Sequence, residues 1–160
     1  MSEYEILYNL DAYEIQQYQQ NRYPLLFIDK VVEVKPGVYC KAYKNFSFNE
    51  WFFPAHFADE PNVPGFVQIE SLAQTFIMTF LTIPEHKGKK TAFLALNNMK
   101  FRRQIIPGDR VDIEAHLESF KRGLAKGYVE ATVDGEFAYS GYLQCGLPDV
   151  MKEFRPEVSS

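Results

Sequence analysis

From Val111 onward, apolar and polar residues trade places at nearly every step. Val111, Ile113, Ala115 and Leu117 alternate with Asp112, Glu114, His116 and Glu118, and Val129, Ala131 and Val133 alternate with Tyr128, Glu130 and Thr132. Phe137, Tyr139, Gly141 and Leu143 follow. A period of two marks strands with one buried and one wetted face, the habit of antiparallel sheets. Asp134-Gly135 predicts a tight hairpin, and Pro107-Gly108-Asp109 predicts another turn. Nearer the start, Leu25 to Val34 is β-branched and aromatic and reads as a strand. Pro36-Gly37 then fits a type II turn, and Val38, Cys40 and Ala42 alternate with Tyr39, Lys41 and Tyr43. That is a second hairpin.

Two segments read as helices. Asp11 to Gln20 is polar, with Asp11 placed to cap it, and ends before Asn21-Arg22-Tyr23-Pro24. A longer central helix runs from Pro64, which suits the first helical position, to about Leu81. At 100° steps its polar residues Gln68, Glu70, Ser71, Gln74 and Thr75 occupy roughly half the circumference, which predicts one wetter side. Asn49 to Pro64 is an ordered, proline-containing loop long enough to carry function, and Pro84 to Lys90 is a further loop. The order is helix, hairpin, long helix, then strands, an α+β domain whose sheet buries one face against the helix. A sheet wrapped round one helix is the hotdog arrangement, but pattern alone does not separate it from a generic α+β sandwich.

Length and composition narrow the picture. At 160 residues, with 46% apolar and 16% aromatic residues, residues 1–160 read as one globular domain. A net charge of −4 with dispersed Lys and Arg offers no basic stripe, so nucleic acid is not expected as a partner. Phe66 to Ile83 is the longest apolar run, but its interspersed polar groups argue against membrane insertion. The acidic start lacks the features of a secretory signal, and the only cysteines, Cys40 and Cys145, are spaced for neither a disulfide framework nor a thiolate site. They read as small core residues in a reducing, cytoplasmic compartment. No metal is expected, because no His, Asp and Glu cluster has ligand spacing, and no cofactor is expected either.

The stretch Trp51-Phe52-Phe53-Pro54-Ala55-His56-Phe57, continuing through Pro61-Asn62-Val63-Pro64-Gly65 to Glu70-Ser71-Leu72-Ala73-Gln74, resembles the active-site motif of the β-hydroxyacyl-acyl-carrier-protein dehydratases. Arg22-Tyr23-Pro24-Leu25-Leu26 with Asp29, and Lys100-Phe101-Arg102-Arg103 with Pro107-Gly108-Asp109, agree in the same order. The resemblance spans about Arg22 to Cys145. It implies a hotdog fold, a homodimer or a trimer of such dimers, and reversible dehydration of a 3-hydroxyacyl thioester carried on acyl carrier protein or coenzyme A. It also implies that His56 and Glu70 meet across the dimer interface, each from a different subunit.

Those residue types suit that reaction. Removing water across Cα–Cβ needs a base for the α-proton, an acid for the β-hydroxyl, and a donor for charge growing on the carbonyl oxygen. Imidazole titrates near pH ~6.5, so a neutral His56 is the natural base. Glu70 would protonate the departing hydroxyl, for which it must hold a proton, as burial in an apolar tunnel favours. Gly65 lies in the first turn of the helix, beside Pro64, where free N–H groups and the helix dipole favour negative charge. Gln74, one turn beyond Glu70, either orients that carboxyl or merely shares its polar face. Lys100, Arg102 and Arg103 read equally as strand-surface charges or as a docking patch for an acidic carrier protein. His86 and His116 read as solvated.

The sequence also departs from the family pattern. Ala55 replaces a glycine before the histidine, Ala58 a proline, Asn21 a histidine and Ser71 an alanine, while Gln68 interrupts an apolar stretch. Alanine resists backbone angles that glycine accepts, so Ala55 raises the prospect of a rotated His56 loop. Two alternatives therefore stand beside dehydration: a hotdog acyl thioesterase, with Glu70 activating water, and a non-catalytic acyl-binding subunit.

Overall fold

The computed structural model describes residues 3–156. It contains β1 (Leu7–Leu10), α1 (Ala12–Tyr18), β2 (Lys30–Lys35), β3 (Tyr39–Asn45), α2 (Gly65–Leu81), β4 (Ala92–Phe101), β5 (Arg110–Lys121), β6 (Leu124–Val133), β7 (Glu136–Gly146) and α3 (Pro148–Met151). The strands form one seven-stranded sheet in the order β1-β2-β3-β5-β6-β7-β4, every neighbouring pair antiparallel. β4 precedes β5 in the chain but lies beyond β7, so it forms an edge. The hairpin turns carry the expected chemistry: Gly37 follows Pro36 at φ 82°, while Asp134 and Gly135 both take positive φ.

The sheet packs on α2 from β2 through to β7, which gives the hotdog arrangement. One glycine makes the closest approach possible. A Cβ on Gly127 would lie 2.1 Å from the His116 carbonyl and 2.6 Å from the Phe76 ring, beside the register shift between Leu117 and Ser119.

Several expectations shift. α1 is shorter than the predicted 11–20, although Asp11 caps it in a reciprocal box with Glu14. Pro64 is the N-cap of α2 rather than its first residue. The ladder of β2 begins only at Lys30, because Leu25 and Phe27 bond to a side chain of α2 instead of a neighbouring strand.

The predicted wet side of α2 is dry except at Glu70, which is half-buried. Gln68 is 6% exposed, Gln74 1%, and Ser71 and Thr75 0%, because the sheet and the preceding segments enclose the polar arc. Hydrogen bonds replace water there. Thr75 donates to the Ser71 carbonyl, Ser71 to the Gln68 carbonyl, and the wholly buried Tyr139 hydroxyl meets Ser71 Oγ at 2.7 Å. His86, expected to be solvated, is half-buried with its ring edge-on to Phe120. Cys40 and Cys145 are free and buried. Among the described residues no helix is long and apolar enough to cross a membrane.

Candidate active site

The loop between β3 and α2 is pinned at its base before it presents His56. Lys44, buried at the end of β3, lies 2.9 Å from the Glu50 carboxylate and 3.4 Å from that of Asp29. Phe52 and Phe53 then turn inward, the Phe52 ring packing edge-on against Phe27, Phe46, Trp51 and Phe53. Burial of two adjacent aromatics fixes the chain three to four residues before the histidine. Ala55 does not adopt positive φ; Phe57 does, at 55°, so the alanine costs the loop no backbone strain.

The half-buried His56 places Nδ1 3.0 Å from the Asn62 carbonyl. A carbonyl only accepts, so in the neutral ring Nδ1 carries the proton and Nε2 keeps its lone pair. His56 shares a cavity of about 420 Å³ with Asn62, Gly65, Gln68, Phe101 and Arg102. Gly65 opens α2 there, and its N–H is among those that a helix start leaves without an intrahelical acceptor. An imidazole with a free lone pair and a helix-start N–H thus face one space.

Glu70 lies elsewhere. It is half-buried in a smaller cavity of about 160 Å³ with Asn21, Gln74, Ile77, Phe93 and Cys145. Gln74 donates from Nε2 to Glu70 Oε2 at 2.8 Å and to the Leu25 carbonyl at 2.7 Å, while its Oε1 accepts from Phe27 N–H at 2.7 Å. Burial, with the Glu70 charge adding to it, pushes the Cys145 thiol up to about 12, so it stays protonated and unreactive near neutrality.

Within one chain His56 and Glu70 line separate cavities and make no contact. One strand links the two: Phe93 of β4 lines the Glu70 cavity and Phe101, at its other end, lines the His56 cavity. β4 is a sheet edge, and Phe93, Leu94 and Phe101 are exposed along it. Of the basic residues at this end, Lys100 and Arg102 are exposed and unpaired among the described residues. Arg103 differs, being tied to Asp109 at 3.2 Å and Glu136 at 3.5 Å. No described group of three His, Cys, Asp or Glu side chains is disposed to hold a metal ion.

Sequence reasoning singled out His56, Gly65, Glu70 and Gln74 but missed Asn62, which acts through its backbone and leaves no side-chain signal. It also passed over Phe101, although that residue stood within the quoted Lys100–Arg103 stretch and signalled a wall by being aromatic between cations.

An antiparallel sheet curled round one buried helix, with a loop histidine beside the helix start, defines a hotdog protein. The chain belongs to the FabA-like domain family, whose model matches residues 20–142. It is 44% identical over 140 residues to the 3-hydroxyacyl-[acyl-carrier-protein] dehydratase FabZ of Acetivibrio thermocellus, covering 88% of this chain and 96% of that one. With the FabZ of Clostridium novyi it shares 45% identity over 125 residues, 78% of this chain and 88% of the relative. A chain of the dehydratase heterocomplex ApeI:P from Xenorhabdus doucetiae has the same fold, with a TM-score of 0.73 at 16% identity, covering 84% of this chain and 90% of that one.

Proposed function

We propose that this protein is a lyase that reversibly dehydrates 3-hydroxyacyl thioesters of acyl carrier protein to trans-2-enoyl thioesters in fatty-acid biosynthesis. The dehydratase names of its relatives support the reaction. The observation that carries the reading to this chain is the shared cavity of His56 and Gly65, with Nδ1 of His56 already held by Asn62.

The chemistry divides among three groups. Nε2 of His56 takes the α-proton while the Gly65 N–H donates to the thioester carbonyl, where charge develops; such a donor is worth on the order of 3 kcal/mol in the barrier. Glu70 gives its proton to the β-hydroxyl as the C–O bond breaks and water leaves. Transfer of the α-proton from His56 to Glu70 resets the pair, and hydration runs the same steps backwards.

The two cavities lie at opposite ends of β4, eight residues apart and therefore on the order of 25 Å. Pairing β4 antiparallel with its copy in a second protomer sets the Phe93 end of one strand beside the Phe101 end of the other. A two-fold homodimer then brings His56 of each chain to the partner subunit's Glu70 and covers the exposed apolar edge. Each dimer holds two sites, and three dimers make the hexamer. Arg102, at the rim of the His56 cavity, and the exposed Lys100 two residues before it face an acidic carrier protein, while Arg103, which also lines that cavity, is held by its own ion pairs. Two free, buried cysteines suit the reducing cytoplasm.

The test follows the enoyl absorbance of purified protein with 3-hydroxyacyl carrier and coenzyme A esters. Enoyl product is expected, with His56→Ala slowing turnover by at least ~100-fold. Free thiol without enoyl product would replace this reading with a thioesterase, and unchanged turnover in His56→Ala would replace it with an acyl-binding subunit.

A further inference from the structure

We propose that Gln68 is a positioning residue that fixes the tautomer of His56 through the backbone of Val63. Gln68 lies in the first turn of α2 and is 6% exposed. Its Nε2 donates to the Val63 carbonyl at 2.9 Å, and its Oε1 is buried without a partner among the described residues. The reverse amide orientation would set two oxygens against each other, so the carbonyl dictates which way the amide lies. An orphaned buried acceptor is a cost that an apolar residue of the same length would avoid. Breaking a local rule without a packing gain marks functional positions.

What the bond holds is the bracket behind the histidine. Val63 N–H donates to the Ile105 carbonyl at 2.8 Å, and the other edge of that same peptide unit is the Asn62 carbonyl that accepts from His56 Nδ1 at 3.0 Å. Ile105 therefore fixes the peptide before Val63, and Gln68 fixes the peptide after it. Together they lock both backbone angles of Val63 and aim the Asn62 oxygen at the ring. Nδ1 must then be the protonated nitrogen, which leaves Nε2 as the base. The kinetic part of this role rests on the dehydratase reading, whereas the tautomer itself does not.

The experiment compares the full-length wild type with Gln68→Met, reading the ring nitrogens of His56 by ¹⁵N NMR, with His56→Ala to assign the signal. The wild type is expected to show the Nδ1–H tautomer alone, and Gln68→Met a mixture of both tautomers. In the same variant kcat is expected to fall about 10-fold with KM within roughly twofold, the sign of a misaimed group rather than lost binding. Gln68→Glu keeps the shape of the side chain and provides the same readout if the methionine variant does not fold. Above the raised pKa of that buried carboxyl the ionised form cannot donate to Val63, so mixed tautomers are expected at that pH. A pure Nδ1–H tautomer in the folded variant overturns the proposal whatever happens to kcat. A tautomer shift in a protein without dehydratase activity overturns the functional reading and leaves the positioning role standing.

Discussion

Gln74 holds Glu70 with the same amide that stitches α2 to the extended segment before β2. One Nε2 reaches both the Glu70 carboxylate, at 2.8 Å, and the Leu25 carbonyl, at 2.7 Å, while Oε1 takes the Phe27 N–H. Structure and site therefore share a single side chain. Gln74→Leu is expected to strand the buried Phe27 N–H and the part-buried Leu25 carbonyl and lower unfolding free energy by about 2 kcal/mol, measured by urea denaturation. Turnover should fall with it at temperatures where the variant remains folded; full activity there would show that Glu70 needs no such partner.

The proposed division of the site between protomers gives a complementation test. His56→Ala and Glu70→Ala homodimers are each expected to lose at least ~100-fold in turnover. Mixed dimers, isolated through different tags, carry one intact site out of two and should recover roughly half the wild-type rate per dimer. If the mixed dimers stay inactive, the acid and base are not contributed by different chains.

Arg102 is exposed at the rim of the His56 cavity and makes no ion pair among the described residues. Arg102→Glu is expected to raise KM for carrier-linked substrates about 10-fold at low salt and to affect coenzyme A esters much less. The difference should shrink as salt screens the contact. Equal effects on both substrates would place Arg102 outside carrier docking.

Ser71 and Tyr139 form an asymmetric pair. Ser71 Oγ donates to the Gln68 carbonyl, so the Tyr139 hydroxyl is the donor between them. Tyr139→Phe leaves Ser71 bonded and should cost about 1 kcal/mol, whereas Ser71→Ala strands a buried phenol and should cost about 2 kcal/mol. The double variant is expected to be less destabilised than the sum of the two, which a thermodynamic cycle measures.

Burial, then the neighbouring Lys89, lowers the pKa of His86 from 6.5, with Glu85 opposing weakly. The folded state therefore disfavours the imidazolium, and the unfolded chain binds more protons just below that pH. Stability from this group is full above about 6.5 and declines as pH falls toward the lower folded value. His86→Gln should flatten the acid side of the Tm–pH curve; an unchanged slope would exclude this histidine as a contributor.

Much of the architecture was legible because its causes are local. Alternation over Val111–Val133, the Asp134-Gly135 turn and the Asp11 cap act within a few residues, and each appears where the pattern placed it. The polar arc of α2 misled because periodicity records polarity, not what satisfies it. Gln68, Ser71 and Thr75 are satisfied by carbonyls within five residues of them, while Ser71 also meets Tyr139 and Gln74 reaches Leu25, partners that only the fold brings near. β1, only four residues long, was too short to declare a period. The motif brought His56, Gly65 and Glu70 into view together, and the family resemblance rather than any local pattern carried the expectation that His56 and Glu70 come from different subunits; within one chain they line separate cavities.

The open edge of β4 also bears on life at low abundance. In the proposed dimer, a newly made protomer carries half of each of two sites and a greasy margin that invites any extended stranger, so encounter with its twin would serve at once as activation and as protection. Because that encounter is bimolecular, active enzyme in a sparse population rises more steeply than the amount of chain made, approaching its square, and becomes proportional only once pairing saturates.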